Sequence, residues 1–138
     1  MKTHTQNLLA IRPDLQLDSS QAGPEETFQN QTLRPILKMQ HMLLTTLFQA
    51  YIHKRKDSYF LLTKAGRLAW IDHSVRSDLR FRNLLVGTVI GHFTEAELAH
   101  YLASEAEYMR RIVSLLVQRL QSAAFVTPAS SGKQQPPD

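Results

Sequence analysis

The chain has no cysteine. Disulfide cross-links, thiolate nucleophiles and cysteine-held zinc are therefore excluded at once. Long hydrophobic runs are missing too. No stretch approaches the roughly 18 apolar residues of a membrane span, so no membrane partner is expected. The early apolar run Leu8-Leu9-Ala10-Ile11 falls short of a signal-peptide core of roughly 7–15 residues, which leaves the cytoplasm as the expected compartment. Glycine is scarce, five in 138 residues, and forms no phosphate-binding loop. Gly87-x-x-x-Gly91 lacks a following Lys-Ser/Thr, and no Gly-x-Ser-x-Gly elbow occurs. Alternating apolar and polar residues never persist long enough for a strand, and no internal repeat is visible.

What remains is ordinary globular material. Apolar residues make up 43% and charged residues 20% of the chain, which suits one domain with its own core. The formal net charge of +4 lies wholly in the middle. Lys2 and Arg12 cancel Asp14 and Asp18 in residues 1–24, and Lys133 cancels Asp138 in residues 127–138. A modest positive balance permits polyanion binding without requiring it. Residues 1–24 are rich in Gln, Ser, Thr, Pro and Asp, and residues 127–138 hold Pro-Ala-Ser-Ser-Gly and Gln-Gln-Pro-Pro. Both compositions predict disordered tails around a domain at 25–126.

Three blocks of the domain repeat at helical spacing. In the first, Thr32 is placed to cap a helix with Pro35 in its first turn, where a missing amide does no harm. Ile36, Leu37, Leu43, Leu44, Leu47, Phe48 and Tyr51 follow on one face, and His53-Lys54-Arg55-Lys56 suits the negative helix end. The second block starts near Thr63. Its stripe of Leu68, Ile71, Val75, Leu79, Val86 and Val89 leaves Trp70 and Phe81 on the opposite face if the helix is unbroken. Either it breaks at Ser77-Asp78, with a fresh cap there, or it buries two faces. Gly87 is read as a point of close helix approach, and Gly91 as a left-handed helix end. In the third block Thr94 and Glu97 form a capping box, with Phe93 and Leu98 as a hydrophobic staple. That helix is predicted to run to about Ala124, with Glu97, Ser104, Arg111 and Gln118 as a polar column. The predicted fold is all-α: an antiparallel up-down-up bundle of three long helices, four if the middle one breaks near Ser77.

Motifs that carry chemistry are few. Glu97-x-x-His100 matches half of a carboxylate-bridged di-metal site, but no second Glu-x-x-His exists and the capping box already uses Glu97. The six histidines include no pair four apart on a helix. Asp72, His73 and Ser74 are consecutive, so on a helix they point about 100° apart and cannot act on one another. No catalytic residue, metal or cofactor is expected. Basic residues at Lys54, Arg55, Lys56, Arg76, Arg80 and Arg82, with Phe81 interleaved, make a candidate polyanion surface. Arg82 is predicted to face the core and to pair with Asp78 or Glu105.

The run Glu26-Thr27-Phe28-Gln29-Asn30-Gln31-Thr32-Leu33-Arg34-Pro35-Ile36-Leu37-Lys38 resembles the opening of a family of short Bacteroidetes-like bacterial proteins. Asp78-Leu79-Arg80-Phe81-Arg82-Asn83, then Gly87 and Ile90-Gly91-His92-Phe93-Thr94, resembles the same family. The similarity spans about residues 25–125. Members sometimes carry the label glyoxalase, so the resemblance implies a glyoxalase-like activity without assigning residues to it. The residues themselves favour a non-enzymatic helical protein acting through protein contacts, foremost its own homodimer. Surplus apolar surface motivates this, with Trp70, Phe81, Tyr101 and Tyr108 as the candidate interface. An enzyme is expected instead to gather His41 or His73 with Asp72 and an arginine in one pocket. Nucleic acid is the third alternative.

Overall fold

A computed structural model describes residues 1–55 and 58–124. Among the described residues the ordered elements are helical, without a strand, as the patterning predicts. Helix α1 spans His4–Ile11. It is closed by a capping box in which the Thr3 hydroxyl accepts the Gln6 amide and the Gln6 side chain accepts the Thr3 amide. Helix α2, Pro24–Phe28, begins with proline at a first-turn position and with Glu25 and Glu26 against the positive helix end. It runs into a π-turn at Gln29–Leu33 and then α3, Arg34–Met39. Pro35 explains the wide turn. It has no amide to donate, and its ring crowds the carbonyl four residues back. The widened turn, closed by the Arg34 amide on the Gln29 carbonyl, carries the helix past it.

Helix α4, His41–His53, follows a kink at Gln40, whose side chain donates to the Thr88 carbonyl at 3.1 Å. A 3-10 turn at Ser58–Leu61 leads to α5, Lys64–Ser77, capped by Thr63. Asp78 ends α5 in extended geometry, and its side chain accepts the Phe81 amide to start α6, Leu79–Ile90. The Thr94–Glu97 capping box opens α7, Glu95–Ala103. Last comes α8, Glu105–Ala123. Helix α8 is the centre of the molecule and packs on α4, α5 and α6. Ile112, Leu116 and Leu120, one turn apart, are wholly enclosed among Ile36, Leu44, Ile52, Ile71, Val75, Leu85 and Val89.

Several expectations need correction. Three long helices do not form, because each periodic block is interrupted, at Gln40, Asp78 and Ser104. The break near Ser77 that would make the bundle four-membered is present. The break at Ser104 lets α7 fold back on α8. His100 Nε2 then lies 2.6 Å from the Tyr108 hydroxyl, with Phe28 packed on both rings. In one continuous helix those residues would sit about 12 Å apart along the axis. Thr32 is no cap; it is buried in the π-turn. Gly91 does end α6, but in right-handed geometry (φ −60°, ψ −15°) rather than left-handed, and a side chain at Gly87 would meet nothing within 4 Å, so Gly87 marks no close helix approach. Phe93 packs on Phe28 and Tyr101 while Leu98 stays exposed, so the staple is absent. Residues 1–24 are not a free tail, since they carry α1 and Arg12, which is anchored to Glu97. The tail expected at 127–138 lies outside the described residues.

Candidate functional site

Charged residues converge first at the N-terminal segment. Arg12 grips Glu97 with both nitrogens of its fork, at 2.6 and 3.0 Å, and donates to the His92 carbonyl at 2.8 Å. Its side chain is only 7% exposed. Glu97 also accepts the Thr94 amide and the Thr32 hydroxyl. Burial alone would raise the Glu97 carboxyl. The Arg12 hydrogen bonds, the Thr94 amide, the Arg12 charge and Thr32 outweigh it, and the carboxyl is held below its ordinary range. All its oxygens serve the fold, so this cluster is a fastening that joins the N-terminal strap, the π-turn and α7.

The expected interface residues are spent on the core. Phe81 stacks on Tyr51 at 3.9 Å between ring centroids, and Tyr101 and Tyr108 are buried. Trp70 is half-buried against Phe48, Tyr51 and Tyr59. The expected polyanion residues do not share one cavity. Arg55 lies over the Tyr51 ring and bonds Asp78, Lys54 and Arg80 are exposed elsewhere, and Lys56 lies outside the described residues. Arg82 pairs with neither Asp78 nor Glu105. Asp78 is occupied by Tyr51, Arg55 and the Phe81 amide, and Arg82 Nε is buried without a hydrogen-bond partner. Of that set only Arg76 reaches the groove beside α8.

This groove runs along α8 beside α3, the start of α4 and the end of α5. It has two lobes that share Arg34, Leu115 and Gln118. The smaller lobe, about 240 Å³, is completed by Leu37, His41, Arg119 and Ser122. The larger, about 360 Å³, is completed by Gln29, Arg76, Glu107, Arg110, Arg111 and Ser114. Periodicity puts these residues there. Glu107, Arg111, Ser114, Gln118 and Ser122 recur every three or four positions, so they line one side of α8 while its apolar side fills the core. Arg34 is delivered by the π-turn, and its Nε donates to the Asn30 side-chain oxygen Oδ1 at 3.1 Å.

Charge is unevenly balanced along the groove. In the larger lobe Arg110 and Arg111 both donate to Glu107, and Arg76 donates to Asp72 at 2.8 Å. The Arg111 hydrogen bond lowers the Glu107 carboxyl most, helped by Arg110. Arg111 also donates to Gln29, at 3.0 Å. In the smaller lobe no lining residue is acidic. Among the described residues neither Arg34 nor Arg119 pairs with a carboxylate. Burial, and then the charge of Arg34, lower the Arg119 guanidinium from its ordinary value. Arg119 Nη1 lies 3.1 Å from His41 Nδ1. Guanidinium nitrogens only donate, so His41 Nδ1 accepts in this contact, which places a ring N–H on Nε2. His73 and Asp72 line neither lobe, so the combination expected of an enzyme does not assemble there. Among the described residues, no three His, Asp or Glu side chains gather as metal ligands would.

Protein-family models, curated proteins and solved structures were compared with the chain, and none matches it.

Proposed function

We propose that this is a non-enzymatic binding protein whose groove along α8 holds an anionic ligand. The observation that carries the reading is the pair Arg34 and Arg119, two half-buried cations in one small cavity with no acidic residue lining it. Such a pair is electrostatically unfavourable while empty and favourable around an anion. Arg76, Arg110 and Arg111 extend the same positive surface into the larger lobe. Retention on a heparin column tests it. The variant with Arg34, Arg111 and Arg119 all changed to Gln is expected to elute at clearly lower salt than the native chain. A control that loses the same charge elsewhere, with Lys2, Lys54 and Arg80 changed to Gln, is expected to shift less. Equal shifts for the two variants would mean that only net charge matters and that the groove is no site.

Self-association is a second reading and draws on a different surface from Trp70 and Phe81. Leu98 and Leu102, one turn apart on α7, are exposed, as are Phe60 and Leu61 ahead of α5. Light scattering at micromolar concentration is expected to give twice the chain mass of 15.8 kDa if these surfaces pair. A monomer mass across that range rules the dimer out.

A further inference from the structure

The two lobes differ in a way that specifies the ligand. Every charged side chain lining the smaller lobe is cationic. Its remaining polar groups, His41 Nε2, the Gln118 amide and the Ser122 hydroxyl, all offer hydrogen-bond donors. Two adjacent guanidinium groups are balanced by two negative charges, which one carboxylate cannot supply. We propose that the smaller lobe binds the dianionic phosphate group of a phosphate monoester, gripped from two sides by Arg34 and Arg119. The proposal rests on the anion-binding reading of the groove.

Several features favour this chemistry over other anions. The planar fork of arginine meets two phosphate oxygens at once, and a phosphate dianion accepts in several directions without needing an acceptor in return. No Phe, Tyr or Trp side chain lines either lobe and His41 is the one ring there, so bases lack the series of rings on which single-stranded nucleic acid usually stacks. The larger lobe differs in holding a carboxylate, Glu107, beside the amide of Gln29 and the hydroxyl of Ser114, a mixed polar lining that suits the hydroxyl-bearing remainder of an ester better than a second phosphate. The shared wall of Arg34, Leu115 and Gln118 lets one molecule occupy both lobes. A sugar phosphate and a phosphoserine side chain present the same group, and the lobes themselves recognise only that group.

Titration calorimetry of the full chain in about 50 mM salt separates the cases. The probes are inorganic phosphate, glucose 6-phosphate, a phosphoserine pentapeptide, tetraglutamate and a short oligothymidylate. The phosphate monoesters are expected to bind saturably and at least about tenfold more tightly than tetraglutamate or the phosphodiester. Arg34→Gln and Arg119→Gln are each expected to weaken the monoesters by about tenfold or more, the loss of a charged hydrogen bond. Arg80→Gln, outside the groove, should change nothing. Tighter binding of glucose 6-phosphate than of the phosphopeptide supports the proposal with a small metabolite as the source; the reverse order supports it with a modified protein. Thermal melts guard against a folding artefact. Without ligand Arg119→Gln is expected to melt no lower than the native chain, because it removes a repelled charge, and phosphate is expected to raise the native melting point only. If tetraglutamate or oligothymidylate binds as tightly through the same arginines, the phosphate proposal fails while the anionic groove stands. If no probe binds, both fail.

Discussion

Glu97→Ala is expected to lower the melting temperature by about 12–20 °C. The side chain is the hub of the fastening between the N-terminal strap, the π-turn and α7, and its loss acts in three places. It leaves the Arg12 guanidinium, 7% exposed, without its counter-charge. It opens the capping box on α7, and it frees the buried Thr32 hydroxyl in the π-turn. Breaking a buried ion pair by removing one partner costs about 3–5 kcal/mol. For a domain of this size roughly 1 kcal/mol corresponds to about 4 °C. Arg12→Met combined with Glu97→Gln is expected to recover most of the loss. Replacing both charges removes the stranded one, and glutamine still serves the capping box. Circular-dichroism melts of the three proteins decide it, and a drop under about 3 °C for Glu97→Ala would mean that α1 is not fastened to the bundle. The pH dependence has a fixed sign. Glu97 is held below the usual carboxylate range, so its stabilisation is complete above the unfolded value of about 4.3 and is lost as pH falls through the lower folded value. The native chain should therefore lose stability in acid more steeply than the double variant.

Helix content and the position of the core were legible because they depend on periodicity. Ile71, Val75, Ile112, Leu116 and Leu120 follow a 3.6-residue repeat and lie at the centre of the structure. Interruptions were harder, because they are written in short polar signals inside otherwise helical pattern. Asp78 was readable as a cap and proved to be one. Ser104-x-x-Glu107 has the form of a capping box and marks the break into α7 and α8, although the Ser104 side chain makes no capping hydrogen bond. Thr3-x-x-Gln6 and Gly23-Pro24-Glu25-Glu26 announced α1 and α2 within a segment whose composition alone reads as tail. Pro35 was placed at a helix start because an interior proline usually breaks the helix. The π-turn is the exception that accommodates it. The groove was half legible. The polar column on α8 is visible as Arg111 and Gln118, but the facing side comes from Arg34 and His41, about eighty positions away in the case of Arg111 and Arg34. No local pattern links the two. Arg12 and Glu97 are equally remote, joined only by the path that the strap takes over the fold.

Asp78→Ala should be the other severe substitution, with an expected loss of about 10–16 °C. One oxygen of Asp78 accepts the Phe81 amide at 3.2 Å, and the other accepts the Tyr51 hydroxyl at 2.8 Å and Arg55 at 2.9 Å. Its carboxyl is lowered chiefly by the Tyr51 hydrogen bond, then by the Phe81 amide and Arg55. The loss of a helix cap costs about 1 kcal/mol. A charged acceptor removed from a buried hydroxyl adds about 1.5–3 kcal/mol, while the half-exposed Arg55 adds little. Asp78→Asn separates these contributions. Asparagine caps as well as aspartate and can accept from Tyr51, so only the charge is lost, and less than half of the alanine effect is expected. Tyr51→Phe is expected to remove part of the effect by itself, and combining it with Asp78→Ala should be less than additive, since both act on one hydrogen bond. Helix content by circular dichroism should stay nearly constant in every variant. Helices α5 and α6 each bury their own residues in the common core, Ile71 and Val75 on one side of the break and Phe81, Leu85 and Val89 on the other. Fusing them would turn one of these faces away from α8. A gain of helix signal together with unchanged stability on Asp78→Ala would show instead that the cap alone holds the two helices apart.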